Sequence, residues 1–315
     1  MQEKYPNVSL LKELSNAYKV VVQKGDVTAS NIYALQLRNG QQDTYITRGS
    51  RSTGILSKSP AMILYGSGAY NAGGHTQTWE YANRSRSWLV GTKPKNSWDS
   101  QIARVQFPSS GTVSHYYNTE MPRLSYLNRA GQEFGISYAG ADMERVEAAV
   151  SPSYQDLLIA SVDNDGNGYF SIYDLEEVNN ALDNVEGTGQ DVPIMNLDCR
   201  AAFEIYGFVG DIGSIQGYDI DDNRNIFVSS QYSPQSVSDT RNERKIVKIP
   251  WGVTDTNAWE VAYLNDDYLD VADHISEFES IQVIDSSTLY LTVSYHDKNN
   301  GLESNRHRIF EVDWY

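Results

Sequence analysis

Apolar and polar residues alternate with period two in short runs along most of this chain, the pattern of strands that turn one face to a core. Four such runs are "SWLVGTK", "LLIASV", "NIFVSSQ" and "LYLTVSY". Each leads into another: "QIARVQF" from Gln101, "YFSIYDL" from Tyr169, "KIVKIPW" from Lys245 and "RIFEVDWY" from Arg308. Ahead of each pair stands a segment built around Gln or Glu. These are "GGHTQTWE" (Gly73–Glu80), "RVEAAVSP" (Arg145–Pro152), "GSIQGYDI" (Gly213–Ile220) and "ESIQVIDS" (Glu279–Ser286). The shared position falls at Gln77, Glu147, Gln216 and Gln282, with separations of 70, 69 and 66 residues. A fifth copy opens the chain, with Gln23 in the shared position and "IYALQLR" after it.

Five repeats of three or more strands predict an all-β fold, a five-bladed β-propeller in one domain with mostly antiparallel, four-stranded blades. The blades span about 10–60, 61–110, 140–180, 205–255 and 270–315, with inserts at 108–140 and 183–213. The first insert is too long for a tight turn and should hold an outer strand and a surface excursion. Just ahead of the second, Leu175, Val178 and Leu182 lie at helical spacing in "DLEEVNNALDN" and predict a short helix. The closing "RIFEVDWY" is expected to pair with N-terminal strands and remove the last exposed edge.

Composition narrows the partners. There are 25 Lys and Arg against 41 Asp and Glu, a formal net charge of −16, and no basic run, so nucleic acid and anionic lipid are repelled. Basic or neutral partners suit it. No 18 apolar residues run together, so no transmembrane segment is expected, and the first residues lack the apolar core of a signal peptide. Cys199 is the one cysteine, which leaves no internal disulfide and reads as a small core residue rather than a nucleophile.

Chemical motifs are sparse. In "DNDGNGYFSIYD", Asp163, Asp165, Asn167, Gly168 and Asp174 match positions of a calcium loop, but Asp stands where a bidentate Glu is usual and a strand precedes the loop. The competing reading is a strand–turn–strand connection shaped by Asp, Asn and Gly, and "DIDDNRN" (Asp219–Asn225) repeats it one blade later. His75, His115, His274, His296 and His307 have no ligand spacing, so neither a metal nor a cofactor is expected. A hydrolytic site would have to draw on Glu80, Glu147, Asp219, Glu279 and Asp285, which otherwise read as turn formers and strand caps.

Within "GGHTQTWE", strand geometry would put His75, Gln77 and Trp79 on one face and Thr76, Thr78 and Glu80 on the other. The recurring Gln or Glu then either packs blades together or faces a central channel. As a channel, His75, Gln77, Trp79, Glu80, Glu147, Gln216, Tyr218, Asp219 and Gln282 form a candidate ligand-binding set, with amides and acids beside aromatic rings as in sugar sites.

The blocks "AGGHTQTWE", "QIARV", "PRLSYLNRAG", "EAAVSP", "SIQGYDIDDNRNIFVSSQ", "KIVKIP" and "ESIQVI" followed by "YLTVSYH" resemble the helveticin J family, large heat-labile bacteriocins of lactobacilli, in the same order from Gln23 onward. The resemblance implies a secreted antibacterial protein without a processed leader that acts on related bacteria. It carries no catalytic residues. Three functions follow as expectations: a non-enzymatic killer that recognises a target-cell envelope component such as a wall glycan, a wall-glycan hydrolase using inner-strand carboxylates, and a surface-associated binding protein without killing activity.

Overall fold

The computed structural model describes residues 1–94, 101–109, 111–136, 143–239 and 243–315. Among these residues, strands form five small sheets of four or five members, the arrangement of a five-bladed β-propeller. The expected boundaries 61–110 and 140–180 and the insert 108–140 run partly across residues outside those described.

Each blade begins with a leading strand at one edge of its sheet: Val22–Val27, Trp79–Tyr81, Met143–Val150, Ile215–Ile220 and His274–Val283. The alternating runs supply the next two strands. In the third blade, for example, Asp156–Asp163 and Gly168–Asp174 pair antiparallel, with Leu158 opposite Ile172 and Ala160 opposite Phe170. Cys199–Ile205 completes that sheet from within the stretch read as the second insert. Three sheets gain an outer strand that pairs parallel to its neighbour: Gln2–Glu3, Ser114–Tyr116 and Asp191–Pro193. The first insert thus supplies the outer strand Ser114–Tyr116 to one sheet and Arg123–Ser125, next to the outermost, to another.

The final strand Glu303–Asp313 lies between Thr288–Asp297 and the N-terminal strand Asn7–Leu14, antiparallel to both, as the sequence predicts. It is anchored beyond its end by Trp314, whose indole Nε1 donates to Glu260 at 2.7 Å.

The described chain forms two compact units. One comprises Met1–Leu37, Ile46–Pro60 and Ile212–Tyr315. Its core includes Phe227, Ile246, Phe278, Leu291 and Phe310, all nearly or fully buried. At Gly217 a Cβ would come within 2.6 Å of the Ser280 Cα, so only glycine lets these two leading strands approach so closely. The other unit comprises Arg38–Tyr45 and Ala61–Asp211. Its core gathers Leu89, Ile102, Leu157, Ile159 and the inward face of the helix Leu175–Val185. That helix buries Leu175, Val178 and Leu182 as their spacing predicts, and Asp174 caps its start by accepting from the Glu177 N–H at 2.8 Å.

The calcium-like loop is a turn. Asp163 accepts from the N–H groups of Asp165 and Asn167 at 2.9 Å each, from the Asn167 amide at 3.0 Å and from the Tyr169 hydroxyl at 2.7 Å. Burial alone would raise this carboxyl's pKa, but these bonds hold it below the usual carboxylate range. Asp221 builds the same turn one blade later, accepting from the N–H groups of Asn223 and Asn225. Cys199 is half-buried on its strand, and burial pushes its thiol pKa up.

Candidate functional site

The expected ligand-binding residues fall into two groups, one in each unit. In the unit that holds Gln216, Tyr218, Asp219 and Gln282, all four are occupied with structure or sealed from solvent. Gln282 accepts from the Val27 N–H at 2.8 Å and donates to the Val27 carbonyl at 3.1 Å, so its amide completes the free edge of another blade's leading strand. Lys24, fully buried, returns the contact by donating to the Ile281 carbonyl at 2.7 Å. Asp219 accepts from the Val283 N–H at 2.6 Å. Gln216 donates to the Gln231 carbonyl at 2.6 Å, and the Gln231 side chain bonds Phe278 N–H and Ser276 carbonyl. Tyr218 is buried.

These side chains do for a leading strand what a further strand would do: they satisfy backbone groups that would otherwise be buried without partners. The recurring glutamine has a backbone basis in two blades. The ladder skips one residue at Gln23 and again at Gln216, a bulge that turns the side chain out of the regular pairing. In the fifth blade the bulge falls between Phe278 and Ile281, and Gln282 sits in regular register opposite Tyr290. The sequence repeat and the structural repeat are therefore offset there.

The other group comprises His75, Gln77, Trp79, Glu80 and Glu147. Regular strand starts only at Trp79, so His75 and Gln77 lie in irregular backbone and the expected alternation of faces does not extend to them. Glu147 causes this. Its buried carboxylate accepts from the Thr76 hydroxyl at 3.0 Å, the Gln77 N–H at 3.1 Å and the Thr78 hydroxyl at 2.5 Å, which replaces strand pairing over these residues. Trp79 is fully buried and stacks on Trp88, with ring centres 4.8 Å apart and planes 6° from parallel, so its ring is core and offers no stacking face. Glu80 is buried opposite Leu89. His75 alone in this group is exposed.

His75 and Glu147 share a cleft of about 220 Å³ with Gly74, Lys93, Gln101 and Arg145. Arg145 Nε lies 4.0 Å from Glu147 Oε1, and buried Arg123 donates to Gln101 Oε1 at 2.8 Å. The lining carries the His75 imidazole, the Arg145 guanidinium and the Glu144 carboxylate over a hydrogen-bonded floor, while the Lys93 ammonium donates to the Gln42 side chain and the Gly66 carbonyl; such a mixed polar set can hydrogen-bond a polar ligand. Sequence reasoning missed Lys93 and Arg145. Arg145 had a signal: it stands two residues before Glu147 on one strand and so on the same face. Lys93 had none, because the fold alone brings it beside His75.

Of the other carboxylates considered for hydrolysis, Glu279 is buried, and Asp285 shapes a turn by accepting from the N–H groups of Ser287 and Thr288 at 2.9 Å each. Among the described residues no three of His, Cys, Asp and Glu come together as a metal site, and no helix is long and apolar enough to cross a membrane.

A five-bladed propeller whose blades are tied by buried amides and acids defines the class of scaffold, and comparison with known proteins supplies the family. The family described as bacteriocin helveticin-J matches residues 2–315. Bacteriocin helveticin-J of Lactobacillus helveticus is 40% identical over 337 aligned residues, covering 98% of this chain and 97% of its own. Among solved structures, the catalytic domain of the Coprinopsis cinerea GH62 α-L-arabinofuranosidase matches with a TM-score of 0.47 at 11% identity, over 99% of this chain and 97% of its own. A GH43 β-1,3-galactosidase matches with a TM-score of 0.49 at 6% identity, over 91% and 88%. The chain belongs to the helveticin J family of bacteriocins.

Proposed function

We propose that this protein is a secreted antibacterial protein that recognises an envelope component of related bacteria, a wall glycan, and kills without cleaving it. The observation that carries the reading is the match to bacteriocin helveticin-J along almost the whole of both chains. The state of the carboxylates supports the non-enzymatic form. Glu147 and Asp219 are taken up by backbone and hydroxyl donors that hold leading strands in place, whereas a general acid or nucleophile needs a carboxyl open to substrate. The cleft at His75, Lys93 and Arg145 is the candidate for ligand contact in this reading.

The test is a viable-count assay with purified protein on a panel of lactobacilli, following reducing sugar in the medium. The reading predicts falling counts with no sugar release. Unchanged counts on every strain would remove the killing role, and sugar release that accompanies killing would make the protein a hydrolase.

A further inference from the structure

A second surface of the same unit gathers four rings, of which Tyr70, His115 and Tyr117 are exposed and Tyr65 is half-buried among them. Tyr65 and Tyr117 stack with centres 4.8 Å apart and planes 7° from parallel, and His115 stacks on Tyr65 at 5.9 Å and 9°. Tyr70 leans on both, 5.0 Å from Tyr117 and 6.2 Å from Tyr65. Tyr70 and Tyr117 leave 43% and 37% of their surface in water, and His115 is exposed as well. Single exposed aromatics are ordinary on protein surfaces, but a cluster of four rings in mutual contact, three stacked and one tilted, is not.

The backbone beneath this stack is built with unusual expense. The parallel pairing of Ile63 with His115 and of Leu64 with Tyr116 brings the two ring-bearing segments together. The Tyr65 N–H donates to the Tyr116 carbonyl and the Ala72 N–H to the Tyr117 carbonyl, both at 2.9 Å. Three charged side chains then fix the loops. Fully buried Arg123 donates to the Asn71 carbonyl at 3.2 Å, to its amide oxygen at 2.8 Å and to the Asn118 carbonyl, and so clamps both loops at once. Glu120 accepts from the Tyr117 and Asn118 N–H groups at 3.1 and 2.7 Å. Asp43 accepts from the Gly66 and Ser67 N–H groups at 2.8 and 2.9 Å. Carboxylates fix plain connecting turns elsewhere in the chain, as at Asp163 and Asp221, but here three charged side chains hold loops that carry exposed rings, and a binding surface gains from rings already fixed because little entropy is lost when a partner arrives.

We propose that the exposed Tyr70, His115 and Tyr117, backed by half-buried Tyr65, form a platform for a neutral saccharide of the target wall. Ring faces pack against the C–H faces of a sugar, and a polar rim of Ser67, Asn118 and Glu120 meets its hydroxyls. Neutrality follows from charge: the chain carries −16, and Glu120 at the rim disfavours phosphate or carboxylate groups. The proposal rests on envelope recognition and gives that reading a substrate class.

The experiment is affinity electrophoresis of the full chain in gels containing neutral polysaccharide extracted from lactobacillus walls and freed of anionic polymer, with Tyr70→Ala, Tyr117→Ala and the double variant compared. Both rings are partly exposed, so melting temperatures are expected to stay near the parent value, and Tyr117→Phe serves as a conservative control that keeps the ring. Retardation of the parent, reduced about tenfold in apparent affinity by each alanine and little by Tyr117→Phe, supports the platform. Equal retardation of the parent and a folded double variant overturns it, as does binding confined to the anionic fraction or to a protein extracted from the wall. The killing assay on the same variants separates the two readings. A double variant that kills and binds like the parent overturns the platform and leaves the bacteriocin role standing. Ring-dependent binding by a parent that kills no strain does the reverse.

Discussion

Replacing Glu147 separates a structural carboxylate from a ligand-binding one. In the folded protein it is 5% exposed and accepts from three groups: the Thr76 hydroxyl, the Gln77 N–H and the Thr78 hydroxyl. In Glu147→Ala both hydroxyls can turn elsewhere, and Thr78 already lies 3.4 Å from the Ala148 carbonyl, but the Gln77 N–H is fixed in place and loses its acceptor. With both hydroxyls re-paired, one lost bond to a charged acceptor (roughly 1.5–3 kcal/mol) and one stranded buried donor (roughly 1–3 kcal/mol) together cost about 2.5–6 kcal/mol. Glu147→Gln keeps one acceptor oxygen while aiming an amide at a donor, so about 1–2 kcal/mol is expected. Urea unfolding followed by tryptophan fluorescence measures both, and the stacked Trp79 and Trp88 lie close enough to report locally. A Glu147→Ala protein with an unmoved urea midpoint that had lost wall binding would refute the assignment and make Glu147 a ligand group.

Two further outcomes follow from other parts of the fold. His307 is sealed in the core, and burial, helped by neighbouring His296, pushes its pKa down to about 4 from 6.5 against the pull of the Tyr18 carbonyl. The unfolded chain takes up this proton near pH 6.5 and the folded one resists it, so this histidine's contribution is intact above pH 6.5 and falls by up to about 3 kcal/mol as pH drops to 4. His296 works in the other sense: burial would lower its pKa, but the bond and charge of Glu277 outweigh that and raise it, so its contribution is lost as pH rises through the folded value. Melting curves of the parent and His307→Asn between pH 4 and 7 should therefore converge in acid, and parallel curves would contradict this assignment. Deleting residues 303–315 exposes the sites of Ile309, Phe310 and Val312, each fully buried, at about 5–9 kcal/mol on burial alone, and strips a partner from two strands. That approaches the whole stability of a domain, so the truncated chain should show no cooperative melt by circular dichroism, and a sharp one would contradict the closure.

The strands were legible because one buried face writes itself as alternation, as "LLIASV" and "LYLTVSY" show. The recurring Gln and Glu were legible as a repeat, but their employment was not. Gln282 completes Val27 from 255 residues away, and Glu147 reaches back 70 residues to Gln77, distances over which no local pattern operates. The same bond explains why "GGHTQTWE" reads as a strand yet becomes one only at Trp79: a buried carboxylate outcompetes ladder pairing. The grouping of Tyr65, Tyr70, His115 and Tyr117 was not legible because a parallel outer strand from a presumed insert brings them together, and short parallel pairs leave no turn signal between them.

Recognition of the wall without cleavage is the central claim, and cosedimentation with isolated walls tests it most directly. Purified protein is incubated with walls from a susceptible lactobacillus, and pelleted protein and soluble reducing sugar are measured together. Protein is expected to pellet with the walls while reducing sugar stays at the level of walls alone. Protein left in the supernatant, or sugar released in proportion to protein added, would contradict it.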